Sequence, residues 1–258
     1  MPVELASSDR PEETFSTPFR REILAVWKVE ILTIFPAIFE SFLSTSLIEK
    51  AISRGLLSVT TTNIRDFSAP PHHKVDDTPY GGGAGMVMLV DPLVKAVEAA
   101  KKRLPDARVI FLSPGGARFN QLKARELSKL DSVIFICGRY EGIDQRVIDL
   151  VVDEELSIGD FVVMGGEVPA MLVIEACIRL RPDVIHNTES TSFESFSPEL
   201  ADGALVESPQ YTRPEEYQGL RVPDVLLSGN HKLISEWRLS QAKAKTDKLK
   251  EGLINDVE

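Results

Sequence analysis

The chain has 258 residues, 43% of them hydrophobic, and a formal net charge of −10. That length allows one large α/β domain or a main domain with a smaller partner, and the composition is that of a globular protein with a sizeable core. Two cysteines, Cys137 and Cys177, are too few for a disulfide framework, and no signal-peptide pattern or long uncharged apolar run is present. The expectation is a cytoplasmic protein without membrane contact, and the acidic total argues against a generally basic nucleic-acid coat.

Residues 1–25 mix Pro, Ser, Thr and charges without apolar periodicity and read as a mobile extension. From Trp27 the pattern becomes regular. Val29 to Phe35 reads as a strand, Pro36 to Arg54 as one amphipathic helix, and Leu57 to Asn63 as a second strand of alternating Thr and apolar residues. Asp91-Pro92 opens a helix to about Leu104. Arg108 to Leu112 is strand-like, Asn120 to Leu130 helical, Ser132 to Cys137 strand-like, Asp144 to Leu150 helical, and Val151 to Leu156 mostly apolar. A helix from about Pro169 to Leu180 follows. Such alternation predicts an α/β fold with a parallel sheet covered by helices.

The pattern changes at Arg181-Pro182. Residues 186–204, rich in Ser, Thr, Glu and Pro, read as a linker, and the tail reads as a small, mainly helical second domain over 205–258. It contains the turn Ser228-Gly229-Asn230 and a charged helix from about His231. Arg238, Lys243, Lys245, Lys248 and Lys250 stand against only Asp247 there, as on a solvated helix face or an RNA-facing one.

Two glycine-bearing loops carry most of the chemical signal. Cys137-Gly138-Arg139-Tyr140-Glu141-Gly142-Ile143-Asp144 and Ser157-Ile158-Gly159-Asp160-Phe161-Val162-Val163-Met164-Gly165-Gly166-Glu167 each follow a strand and precede a helix. Glycine lets the backbone approach a ligand, and a following helix presents unpaired N–H groups, so two such loops in series suggest a pocket. Taken singly, each is also what a tight turn with a glycine cap looks like. The run Tyr80-Gly81-Gly82-Gly83-Ala84-Gly85 is not placed as a dinucleotide-binding loop, because the next helix opens only at Asp91. It reads as a flexible surface loop, or as a backbone face that a flat base can approach. His72 and His73 lack a third ligand for zinc, the cysteines sit in apolar runs as buried thiols, and no nucleophile elbow or Walker loop is present.

Together with Leu112-Ser113-Pro114, Asp153-Glu154-Glu155, Tyr211-Thr212-Arg213-Pro214 and Leu227-Ser228-Gly229-Asn230-His231, these segments resemble the bacterial tRNA (guanine-N1)-methyltransferases, in order and in spacing, from about residue 27 to at least Arg238. The resemblance implies a SPOUT-class sheet with a deep trefoil knot over 26–185, a homodimer, a tRNA partner, and S-adenosylmethionine held bent among the knot loops. The cofactor positions fall on Phe111, Leu112, Ser113 and Pro114; on Gly138, Tyr140 and Glu141; and on Ile158, Gly159, Phe161, Val163, Gly165, Gly166 and Pro169. Phe111 and Phe161 stand where a tyrosine is often seen. The family also implies magnesium dependence, with no metal ligands assigned.

Methylation of guanine N1 needs removal of its proton and in-line placement of the methyl group, hence a general base and tight positioning. By resemblance, Arg179 stabilises charge on guanine O6, and the base falls on Glu194 within Ser192-Phe193-Glu194-Ser195-Phe196, where the family has Asp-Ser-Phe. Glu189 or a lost base is the alternative. Other readings of the same residues are a SPOUT enzyme acting on a ribose 2′-hydroxyl or on ribosomal RNA, and a catalytically silent RNA-binding protein.

Overall fold

The computed structural model describes residues 26–185, 194–198, 200 and 203–255. The extension expected over 1–25, the first part of the linker and Glu189 lie outside the described residues. Strand β1 (Trp27–Thr33) leads through a 3-10 turn to the short helices α1 (Glu40–Leu43) and α2 (Ser46–Ser53), then to β2 (Leu57–Asn63). A two-residue pairing of β3 (Asp76–Asp77) with β4 (Val87–Met88) brackets the Tyr80 loop. There follow α3 (Val90–Arg103), β5 (Arg108–Arg118), α4 (Gln121–Ser128), β6 (Ser132–Cys137), α5 (Gln145–Val151), β7 (Glu154–Ser157) and α6 (Glu167–Ile178). The tail holds the hairpin β8 (Glu216–Tyr217) and β9 (Leu220–Arg221), then α7 (Asp224–Leu227) and the long α8 (His231–Asn255).

The sheet order is β2-β1-β6-β5-β7, with every neighbouring pair parallel, as the strand-helix alternation predicts. Its central strand, β6, is buried along its whole length. Because side chains alternate across a strand, Val133, Phe135 and Cys137 enter one core with α2, α4 and α6, while Ile134 and Ile136 enter another with α3 and α5. Each such side chain contributes about 1.5–3 kcal/mol by leaving water. Asn120 caps α4 by accepting from the Lys123 N–H at 3.0 Å, and Asp144 caps α5 by accepting from the Arg146 N–H at 2.9 Å.

Two expectations are corrected. The single helix read over Pro36 to Arg54 is broken at Ser44-Thr45, whose hydroxyls donate back to the Glu40 and Ser41 carbonyls at 2.8 and 2.5 Å, and Ser46 turns to φ 58°. Local side-chain bonds there replace the helical ladder, which periodicity cannot register. Strand β5 does not end at Leu112. It continues through a register shift to Arg118, so that Leu112 and Ala117 both pair with Leu156 and residues 113–116 bulge out between the two pairings. At Gly116 a Cβ would lie 2.4 Å from the Glu155 carbonyl carbon, so only glycine passes there.

Both cysteines are buried, matching their apolar sequence context. Burial pushes the Cys177 thiol up to about 12, and burial together with the nearby Glu167 carboxylate raises Cys137 well above its usual range, against a smaller opposing pull from Arg139. Neither forms thiolate at neutral pH. Titration of the native protein with a disulfide reagent is therefore expected to find no fast thiol, with both reacting after denaturation; rapid stoichiometric labelling of the folded chain would contradict this burial.

Candidate active site

Three loops gather on one edge of the sheet: the bulge 113–116 within β5, and the segments 138–144 and 158–166 that leave the carboxyl ends of β6 and β7. They surround one cavity of about 390 Å³, within the range of small-molecule sites. Every residue carried over as a cofactor position lines it: Phe111, Leu112, Ser113 and Pro114, Gly138, Tyr140 and Glu141, and Ile158, Gly159, Phe161, Val163, Gly165, Gly166 and Pro169.

Glycine is required where walls meet. A Cβ on Gly138 would stand 2.8 Å from the Phe111 ring, and one on Gly166 would stand 2.6 Å from the Cys137 Cα, a backbone atom that cannot yield. The Gly166 N–H donates to the Gly138 carbonyl at 3.0 Å, joining the second and third loops directly. Arg118 pairs with Asp160, tying the end of the first excursion to the third loop. A floor of Phe111, Leu112, Ile158 and Pro169 with glycine-lined edges fits a flat heteroaromatic group such as adenine. Glu141 and Glu155 add carboxylates to the lining.

The Tyr80 loop abuts the same wall. The Glu141 N–H donates to Met86 O at 3.0 Å and the Met88 N–H to Gly142 O at 3.0 Å. Gly85 sits at φ +82°, a conformation that strains any side chain, and a Cβ there would also have to push the Glu141 side chain aside, 2.4 Å from its Oε1.

Sequence reasoning left out a buried network at the cavity wall, where Arg139 lines the cavity and Glu167 stands behind it. Glu167, the first residue of α6, is 1% exposed; its Oε1 accepts from Thr33 Oγ1 at 2.8 Å, and its Oε2 lies 2.9 Å from Arg139 Nε. That last contact is an ion pair whose N–H is misdirected for a hydrogen bond, since both atoms are otherwise buried without a hydrogen-bond partner. Arg139 also donates to Met164 O at 3.3 Å, and its guanidinium carbon lies 4.7 Å from the centre of the Phe35 ring. The available signal was a charged residue immediately after each glycine, Arg139 after Gly138 and Glu167 after Gly166.

Arg179 and Glu194 are brought together but not to the cavity. Arg179 Nη1 and Nη2 donate to Glu194 Oε1 and Oε2 at 2.8 and 2.5 Å, a bidentate pair, and Gln121 Nε2 adds a 3.4 Å contact. The Glu194 carboxylate raises the Arg179 guanidinium above its ordinary value, outweighing the opposing effect of partial burial. Neither residue lines the cavity. Pro169 lines it near the start of α6 while Arg179 caps the far end, and at 1.5 Å per residue the rise between them is about 15 Å.

Among the described residues, no three His, Cys, Asp or Glu side chains are grouped to hold a metal ion. No described helix is long and apolar enough to cross a membrane.

A parallel sheet with a cavity beyond the strand carboxyl ends, walled by three loops, is the arrangement of an open α/β ligand-binding fold. More narrowly, residues 27–256 match the family model described as tRNA (Guanine-1)-methyltransferase TrmD, and the chain belongs to that family. It is 50% identical over 231 residues to a tRNA (guanine-N(1)-)-methyltransferase of Geobacter sulfurreducens, covering 90% of this chain and 92% of that one. A Wolbachia pipientis relative with the same description is 47% identical over 229 residues, covering 89% and 97%. The crystal structure of the tRNA (m1G37) methyltransferase from Aquifex aeolicus superposes with a TM-score of 0.70 at 37% identity, covering 86% of this chain and 93% of that one.

Proposed function

We propose that the chain methylates N1 of the guanine 3′ of the tRNA anticodon, position 37, using S-adenosylmethionine held by the three loops. The observation that carries this reading is the convergence of those loops on a glycine-edged cavity in a chain of this family. S-adenosylmethionine supplies the electrophilic methyl group. Phe111, Leu112, Ile158 and Pro169 would pack its adenine, and Glu141 would offset its positive charge. Glu194 would take the N1 proton as guanine is attacked, and Arg179 would hold the charge growing on O6.

Within one chain the Arg179-Glu194 pair sits the length of α6 from the cavity, which supports a homodimer whose reaction centre draws on two copies. Beside the cavity Phe161, Val162, Met164, Val168 and Leu172 are exposed, with Met164 at 88%, and α6 is apolar on more sides than its own core covers. A second copy would bury that surface. The knotted path belongs to the same reading. So does the division into an extension (1–25), a methyltransferase domain (26–185), a linker (186–204) and a helical tRNA-binding domain (205–258).

The test is mass mapping of a tRNA transcript with tandem guanosines after incubation with S-adenosylmethionine. One methyl group on the guanine base 3′ of the anticodon is expected. A methyl group on ribose, or cofactor binding without turnover, would replace this reading with another SPOUT specificity or with a silent RNA-binding protein.

A further inference from the structure

The carboxy-terminal part carries a second cavity, of about 440 Å³, that the methyl-transfer chemistry does not use. Its walls come from the strap 209–215, from Val222, from α7 and from the first turns of α8. Ile234 and Arg238 are four residues apart and therefore share one face of α8, which turns both toward the strap.

The lining divides by chemistry. Leu226, Leu227 and Ile234 make an apolar floor, and Leu227 is still 45% exposed. Tyr211 stands at the edge, 48% exposed, with its ring 6.3 Å from that of Trp237 in a tilted contact. Arg213 and Arg238 both line the cavity, and neither has an ion pair or hydrogen bond among the described residues. The one carboxylate in the lining is Glu215. Among the other arginines, Arg103, Arg108, Arg118, Arg146 and Arg179 have carboxylate partners, whereas Arg54, Arg65 and Arg125 have none among the described residues.

Two free guanidinium forks over an apolar, aromatic-edged floor match a group with an anion at one end and a flat, weakly polar body. We propose that this cavity holds one nucleotide of the substrate RNA, its phosphodiester between Arg213 and Arg238 and its sugar or base on the floor beside Tyr211. The assignment rests on the reading of the chain as a tRNA methyltransferase and narrows the acidic protein's RNA contact to a defined pocket. An overall charge of −10 makes this distinction matter, because attraction for RNA must come from local cations rather than from the whole surface. Phosphate contacts of this kind fix orientation on the RNA without reading sequence.

The test uses the full chain, a tRNA transcript with tandem guanosines, and saturating S-adenosylmethionine. The dissociation constant for tRNA is measured over a salt series for wild type, Arg213→Gln, Arg238→Gln and the double variant, alongside cofactor affinity and the circular dichroism melt. Each single variant is expected to weaken tRNA binding about 10-fold and to lower the slope of log affinity against log salt by about 1. Cofactor affinity should stay unchanged. Arg238→Lys should recover the salt slope while regaining only part of the affinity, since it keeps the charge and loses the fork. A double variant that melts like wild type and binds tRNA with unchanged affinity and slope, while wild type methylates that tRNA, overturns the pocket alone. A wild-type protein that transfers no methyl group to tRNA overturns the functional reading, and this assignment with it.

Discussion

Glu194→Gln is expected to lower single-turnover methyl transfer by about 100-fold or more, the low end of what a positioned general base contributes, while S-adenosylmethionine binds as before. Glutamine keeps the length of the side chain and one acceptor for Arg179, but it cannot take up the N1 proton. The present geometry also explains why the loss should be specific. Glu194 is held by Arg179 at 2.8 and 2.5 Å and by Gln121 at 3.4 Å, so the carboxylate is oriented before any substrate arrives. Since neither residue lines the cavity, cofactor affinity measured by calorimetry should not register the change. Glu194→Asp, which restores the Asp-Ser-Phe pattern of the family, should retain more activity than the glutamine variant. Unimpaired transfer by Glu194→Gln would move the base to another residue.

A larger effect on stability is expected at Glu167. Glu167→Ala removes the carboxylate facing Arg139 and the acceptor for Thr33, leaving a mostly buried guanidinium without its counter-charge. Breaking one side of a buried pair costs about 3–5 kcal/mol, and for a domain of this size that lowers the melting temperature by about 10 °C. Replacing Arg139 with methionine in the same chain should recover much of the loss, because no orphaned charge then remains. Denaturant melts of the two single variants and the double variant would measure the coupling. A Glu167→Ala cost below about 1 kcal/mol would show that the pair is solvated and does not clamp the loops.

The strands were the most legible part of the fold. Leu57–Asn63 and Ser132–Cys137 appear with the bounds their sequence pattern predicts, since a short apolar or alternating run between turn residues has few other uses. Local polar bonding hid the break at Ser44-Thr45, and the excursion of β5 around Ser113-Pro114-Gly115-Gly116 depends on a register that only the neighbouring strand imposes. In the site, the family resemblance named residues that the fold gathers around one cavity. It gave no sign that Arg139 and Glu167 would meet at the cavity wall, because their pairing spans two loops and is decided by packing. The distance along α6 between Pro169 and Arg179, by contrast, follows from the helix that the sequence predicts there.

The double use of Leu156 has a kinetic meaning. Because Leu112 and Ala117 both dock on that one residue, the intervening loop is closed at its base by the sheet itself, and its ends cannot drift apart without unzipping β5 from β7. The entropy of closing that wall is settled when the chain folds. Methyl-donor association should therefore be rapid and require little rearrangement on this side of the cavity, with any slow ordering step confined to segments that the sheet does not fasten.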